Sequence, residues 1–61
     1  MTTDKIKHHI GPQLFDHWQG VNDSKILNDA KVQLTREIGQ GLLSGIKYRA
    51  ELELINMKLN T

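Results

Sequence analysis

Histidine and aspartate side chains near the start of the chain come closest, by type and spacing, to a metal site. His8, His9 and His17 lie within the first 17 positions, together with Asp4 and Asp16. On a helix Asp4 and His8 would share one side, but adjacent histidines would point about 100° apart, and no HExxH pattern is present. The spacing favours histidines in solvent, so we expect neither a metal nor another cofactor.

The residue types also give little support to nucleophilic catalysis. The chain has no cysteine, and its serines are Ser24, in a helix-start sequence, and Ser44, in a glycine-rich stretch. No GxxxxGK phosphate loop is present. A domain of this size leaves little room for a pocket of about 300 Å³. The sequence therefore predicts a protein that is not an enzyme.

Length limits how far the chain can stabilise itself. Its 61 residues form one domain at most, and a domain of that size buries only about 60% of its unfolded surface. Small domains are usually supported by disulfides, a metal or a partner chain. Because there is no cysteine, we expect support from self-association, as a homodimer.

The charges are balanced and dispersed. Eight Lys and Arg residues stand against seven Asp and Glu residues, without the basic block that marks a nucleic-acid or anionic-membrane surface. No apolar run approaches the roughly 20 residues that a membrane span requires. These features predict a soluble cytoplasmic protein without membrane contact.

The first 20 residues predict two short helices, over 4–10 and 12–19. Pro12 interrupts the helical pattern because proline has no amide hydrogen and suits the first turn of a helix. Apolar residues recur at every fourth position and would share a face: Ile6, Ile10, Leu14 and Trp18.

Two longer helices are predicted over 23–39 and 42–59. Asn22, Asp23 and Ser24 form a clear start signal, and no proline follows. Residues spaced by three or four form one apolar stripe: Leu27, Ala30, Leu34, Ile38, Gly41, Gly45, Tyr48, Leu52, Ile55 and Leu59. The fold class is therefore all-α, a small bundle of short N-terminal helices plus a helical hairpin, or one long kinked helix in its place.

The stretch GQGLLSG, residues 39–45, decides between these two forms. A continuous helix through three glycines would cost roughly 3 kcal/mol relative to alanine, which favours a break and a hairpin. Against the break, Gly41 and Gly45 are four apart on the stripe, where missing side chains would let another helix approach closely. We favour the hairpin.

The C-terminal half carries a second apolar stripe on the opposite side of the helix. It consists of Leu42, Leu43, Ile46, Ala50, Leu54 and Met57. A helix that is apolar on two sides needs neighbours on both, with Glu51 and Glu53 as solvated residues between the stripes. Alternation over 46–54 would also suit a strand, but the residue types favour a helix.

These features favour binding through surfaces. The leading hypothesis is a small protein-interaction module that self-associates and acts on an unidentified larger protein as adaptor or inhibitor. Trp18 is expected in the core and becomes a candidate anchor only if it is exposed. The expected self-association interface consists of Leu34, Ile38, Gly41, Gly45, Tyr48, Leu52, Ile55 and Leu59.

The alternative hypothesis is a small helical nucleic-acid-binding protein. A helix, a glycine-containing turn and a second helix resemble a helix-turn-helix arrangement, although Gln40 and Glu51 would occupy core positions of that motif. The candidate contacts are Lys5, Lys7, Lys47 and Arg49.

Overall fold

The chain is all-α, as predicted. The computed structural model describes residues 2–60. Within this range the elements are four helices: α1 (Thr3–Ile10), α2 (Pro12–Gly20), α3 (Ser24–Gly39) and α4 (Ile46–Leu59). The segment predicted alternatively as a strand is part of α4, and the two short N-terminal helices are confirmed close to their expected bounds.

A left-handed glycine and a proline divide α1 from α2. Thr2 caps α1, since its side-chain oxygen accepts a hydrogen bond from the backbone N–H of Lys5 at 3.4 Å. Gly11 has φ +89, a conformation that side chains disfavour, and Pro12 occupies the first position of α2. Gly11 and Pro12 therefore end one helix and begin the next with a single residue between them.

Asp23 caps the start of α3. Its Oδ1 accepts hydrogen bonds from the backbone N–H groups of Lys25 (2.9 Å) and Ile26 (3.4 Å). Just before this cap, the Nζ of Lys58 donates to the Gln19 carbonyl (2.7 Å) and to Asn22 Oδ1 (3.3 Å). A cation at the last carbonyls of α2 also suits the helix dipole, so Lys58 fastens the connection between α2 and α3 to the end of α4.

The glycine-rich stretch is a break, which confirms the hairpin. The N–H of Leu42 donates to the Glu37 carbonyl (3.0 Å) and that of Gly41 to the Ile38 carbonyl (3.1 Å). With Gly41 at φ +76, these bonds form the Schellman motif that ends many helices. Gly45 then lies at φ +109, so α4 begins at Ile46, four residues later than predicted.

The two glycines at the end of α3 differ in backbone conformation and provide a matched test. Neither Gly39 nor Gly41 has an atom within 4 Å of the place where a Cβ would be, but only Gly41 has a positive φ. We expect Gly39→Ala to stabilise the protein by about 0.4–1 kcal/mol and Gly41→Ala to destabilise it by about 1 kcal/mol or more. Urea unfolding followed by circular dichroism measures both. Equal effects would show that φ does not decide the break.

The helix α4 is the centre of the bundle. It packs against α1, α2 and α3, as its two opposed apolar stripes predicted. Thr3 lies beside Lys58 and Ile10 beside Lys47, so α1 runs antiparallel to α4. The buried core combines residues from all four helices: Ile6, Ile10, Trp18, Leu27, Ala50, Leu54 and Ile55.

Candidate interaction surfaces

The long apolar stripe does not form one continuous surface, because the chain folds back between α3 and α4. Ile55 is fully buried, and Leu34 and Leu59 pack against the core. Gly41 and Gly45 are exposed loop residues, and nothing approaches them closely in this fold. The remaining members are half-buried: Ile38, Tyr48 and Leu52. Three of the eight residues of the expected interface thus belong to the core of a single chain.

An open cavity of about 340 Å³ lies where α3 turns into α4. This loop-end cavity is larger than we expected for so short a chain. Ile38, Leu43 and Ile46 provide apolar walls, and Arg49 supplies the charge. The rest of the lining consists of small loop residues, Gly41, Ser44 and Gly45. Since a Cβ on either glycine would meet nothing, these glycines keep one wall without side chains.

Several large apolar side chains remain exposed on the described part of the chain. Leu42, at 69% exposure, is the most exposed of them. It faces a groove along α3, whereas its neighbours Gly41 and Leu43 face the loop-end cavity. The others are Ile26, Val32, Ile46 and Met57. The α3–α4 loop therefore contributes to two separate surfaces.

Trp18 lies in the core and is not an exposed anchor. Its side chain is 9% exposed, and its Nε1–H donates to Glu51 Oε1 at 2.9 Å. Glu51 and Glu53 are both half-buried, which corrects the expectation that the two glutamates are solvated. The Glu51 carboxylate satisfies the indole N–H, as a buried tryptophan requires. Trp18 and Glu51 are 33 positions apart in the sequence, so no local sequence pattern predicted this hydrogen bond.

The four candidate nucleic-acid contacts are exposed but do not meet on one surface. Lys47 lies beside the α1–α2 turn, whereas Arg49 lines the loop-end cavity. The Lys7 Nζ lies 5.6 Å from the centre of the Phe15 ring. Lys5 and Lys7, two positions apart on α1, point in widely different directions because successive helical residues turn by about 100°.

The N-terminal histidines lie on exposed or half-exposed positions of α1 and α2. The rings of His8 and His9 meet edge to face, with centroids 5.5 Å apart. Within residues 2–60 no group of three or more His, Asp or Glu side chains is arranged to hold a metal ion. The same part of the chain has no helix with the length and apolar character needed to cross a membrane.

The cavity, the groove along α3 and the exposed apolar residues are thus the features on which function can be argued. Comparison with known proteins adds no functional assignment. No family model matches this chain, and neither a curated protein nor a solved structure shows significant similarity to it.

Proposed function

We propose that this chain is a small non-enzymatic protein-interaction module that self-associates and acts on a larger protein as an adaptor or inhibitor. The observation that carries the proposal is the loop-end cavity. It retains three members of the long stripe, Ile38, Gly41 and Gly45, in a position open to a partner. We place the activity in the cytoplasm, since the absence of cysteine is compatible with a reducing compartment.

The lining of the cavity defines what would bind there. Ile38, Leu43 and Ile46 favour an apolar side chain, because apolar anchors that fill pockets dominate most protein interfaces. Arg49 is the charged group in the lining and favours an acidic group beside that anchor. The proposed ligand is therefore a segment of the larger protein in which an apolar residue adjoins an aspartate or glutamate.

The candidate nucleic-acid contacts give no comparable surface within residues 2–60. A duplex is held by several cations that contact neighbouring phosphates, whereas Lys47 and Arg49 line different surfaces. We therefore retain the protein-interaction module as the proposed function.

Blocking the cavity tests the proposal. Ser44 lines the cavity and is exposed, so Ser44→Phe should fill the space without disturbing the core. Ser24→Phe is the matched control, since Ser24 is exposed at the start of α3, distant from the loop. We expect immobilised wild type and Ser24→Phe to capture the same protein from a cell extract, and Ser44→Phe to bind that protein with an affinity at least about tenfold lower, which corresponds to about 1.4 kcal/mol.

Circular dichroism first establishes that the three proteins have the same helix content. The captured protein is then titrated against each of them in purified form. Equal affinity for Ser44→Phe and wild type would refute the loop-end cavity as the binding site.

A further inference from the structure

The side of α3 that faces away from α4 has no neighbour in the described fold. Among residues 2–60, α3 packs mainly against α4, and the Trp18 ring of α2 lies near Ala30, Gln33, Leu34 and Glu37. The core-facing side carries Leu27, Ala30 and Leu34, and Val32 lies on the opposite side of the helix at half exposure, 50%. This outer side contains a groove lined by Asp29, Val32, Gln33, Arg36, Glu37, Gln40 and Leu42. We call this surface the α3 outer face.

Asp29 lies toward one end of the α3 outer face and Arg36 toward the other, where the neighbouring carboxylate of Glu37 accepts a hydrogen bond from Gln33 Nε2. Asp29 and Arg36 are seven residues apart, which is two turns of helix, so they share one side of α3 without touching each other. Both are exposed, and neither side chain forms an ion pair or hydrogen bond within residues 2–60.

We propose that a second copy of this chain binds the α3 outer face, with the two α3 helices packed antiparallel. This arrangement sets Asp29 of each copy against Arg36 of the other, which forms two equivalent ion pairs. Opposite charges at two ends of one helix are complementary to themselves only when the second helix is reversed. The inference rests on the proposed function, because it assigns the surface for the proposed self-association.

Apolar residues flank the charges in the same self-complementary order. Ile26 lies in the first turn of α3 and is 51% exposed. Leu42 lies beyond the other end, but its N–H bonds back to the Glu37 carbonyl, which keeps it at the level of the last turn. In the antiparallel pair Ile26 of each copy faces Leu42 of the other, and Val32 lies near the axis. Their burial supplies the hydrophobic part of the association.

The arrangement closes as a dimer. Each copy uses the same patch, so the interface is two-fold symmetric and leaves no further site for a third chain. A contact along one helix of 16 residues is small, and small interfaces between exposed charges bind weakly and respond to salt. We therefore expect a dimer that forms at high protein concentration and dissociates as the salt concentration rises.

Charge reversal tests the pairing without touching the core. Asp29→Arg leaves only cations at the two positions, and Arg36→Asp leaves only carboxylates, so each variant alone opposes like charges. We expect each to raise the dimer Kd by about tenfold or more. An equimolar mixture of the two variants should restore association as a heterodimer, since every arginine then faces an aspartate. Light scattering and sedimentation over a concentration series up to about 1 mM measure the molar mass.

The matched control is Lys31→Glu, which changes the net charge by as much as Arg36→Asp but lies at an exposed α3 position away from the groove. It should retain the wild-type mass. A wild-type dimer that both charge reversals leave intact, or a mixture that stays monomeric, would overturn the α3 pairing while self-association stands. A wild type that is monomeric throughout the series would overturn both, whereas capture of the larger protein is tested separately by Ser44→Phe.

Discussion

Replacement of Ile55 by alanine is expected to lower the free energy of unfolding by about 2–5 kcal/mol. Ile55 is fully buried at the centre of α4, in the core shared with α1 and α3. The lost methyl and methylene groups leave a cavity that the surrounding helices fill only in part. In a domain of this length each kcal/mol corresponds to about 4–8 °C, so the melting temperature should fall by about 10 °C or more.

Ile46→Ala is the matched control. The residue type, the substitution and the helix are the same, but Ile46 is 51% exposed at the first position of α4. Its effect should stay within about 0.5 kcal/mol. Thermal and urea unfolding are followed by circular dichroism at low protein concentration, where dimerisation contributes little. Two results would contradict a core position for Ile55. One is an equal loss of stability at the two positions. The other is a reduced dimer mass with an unchanged melting temperature for Ile55→Ala, which would place Ile55 in a subunit interface.

The distinction matters because the sequence predicted the helices better than it predicted what covers them. Two opposed apolar stripes on α4 indicated neighbours on both sides, and α4 indeed packs against α1, α2 and α3. Periodicity could not show that these neighbours come from the same chain. For Ile55, a partner subunit and a hairpin partner predict the same pattern.

The glycine-rich loop shows a second limit of the sequence. The amino-acid composition does not distinguish Gly39, Gly41 and Gly45, although their backbone conformations differ. Gly39 ends α3 as a helical residue, whereas Gly41 and Gly45 adopt positive φ. The break could be predicted from the cost of glycine in a helix, but its length depended on the hydrogen bond that turns Leu42 back toward Glu37. The loop-end cavity is a consequence of that turn, and no sequence pattern predicted it.

The α3 outer face had a weak signal that periodicity obscured. Asp29, Val32 and Arg36 lie opposite the stripe, where polar residues are ordinary and one valine attracts no attention. Leu42 lines the same groove as these three residues. Its position in the structure shows that they belong to one surface, which the sequence did not indicate. The charges and apolar residues of the α3 outer face therefore indicated an interaction surface only once the course of the α3–α4 loop was known.

Replacement of Trp18 by alanine is expected to have the largest effect of any substitution considered, a loss of about 3–5 kcal/mol. Trp18 is the only tryptophan, and its buried ring joins α2 to the core formed by α3 and α4. A chain of 61 residues has a total stability of about 3–9 kcal/mol. Trp18→Ala should therefore lose at least about a third of that stability, measured as a lower urea midpoint of the helical circular dichroism signal.

Trp18→Phe separates burial of the ring from the hydrogen bond to Glu51. Phenylalanine keeps an aromatic ring in the core but cannot donate to Glu51 Oε1. A double-mutant cycle with Glu51→Ala isolates the bond, and we expect a coupling free energy of about 1 kcal/mol from urea unfolding. A coupling near zero would mean that the 2.9 Å contact adds nothing to stability. If Trp18→Ala unfolded at the same urea concentration as the wild type, Trp18 would have to be an exposed anchor, and the packing of α2 against α4 would be wrong.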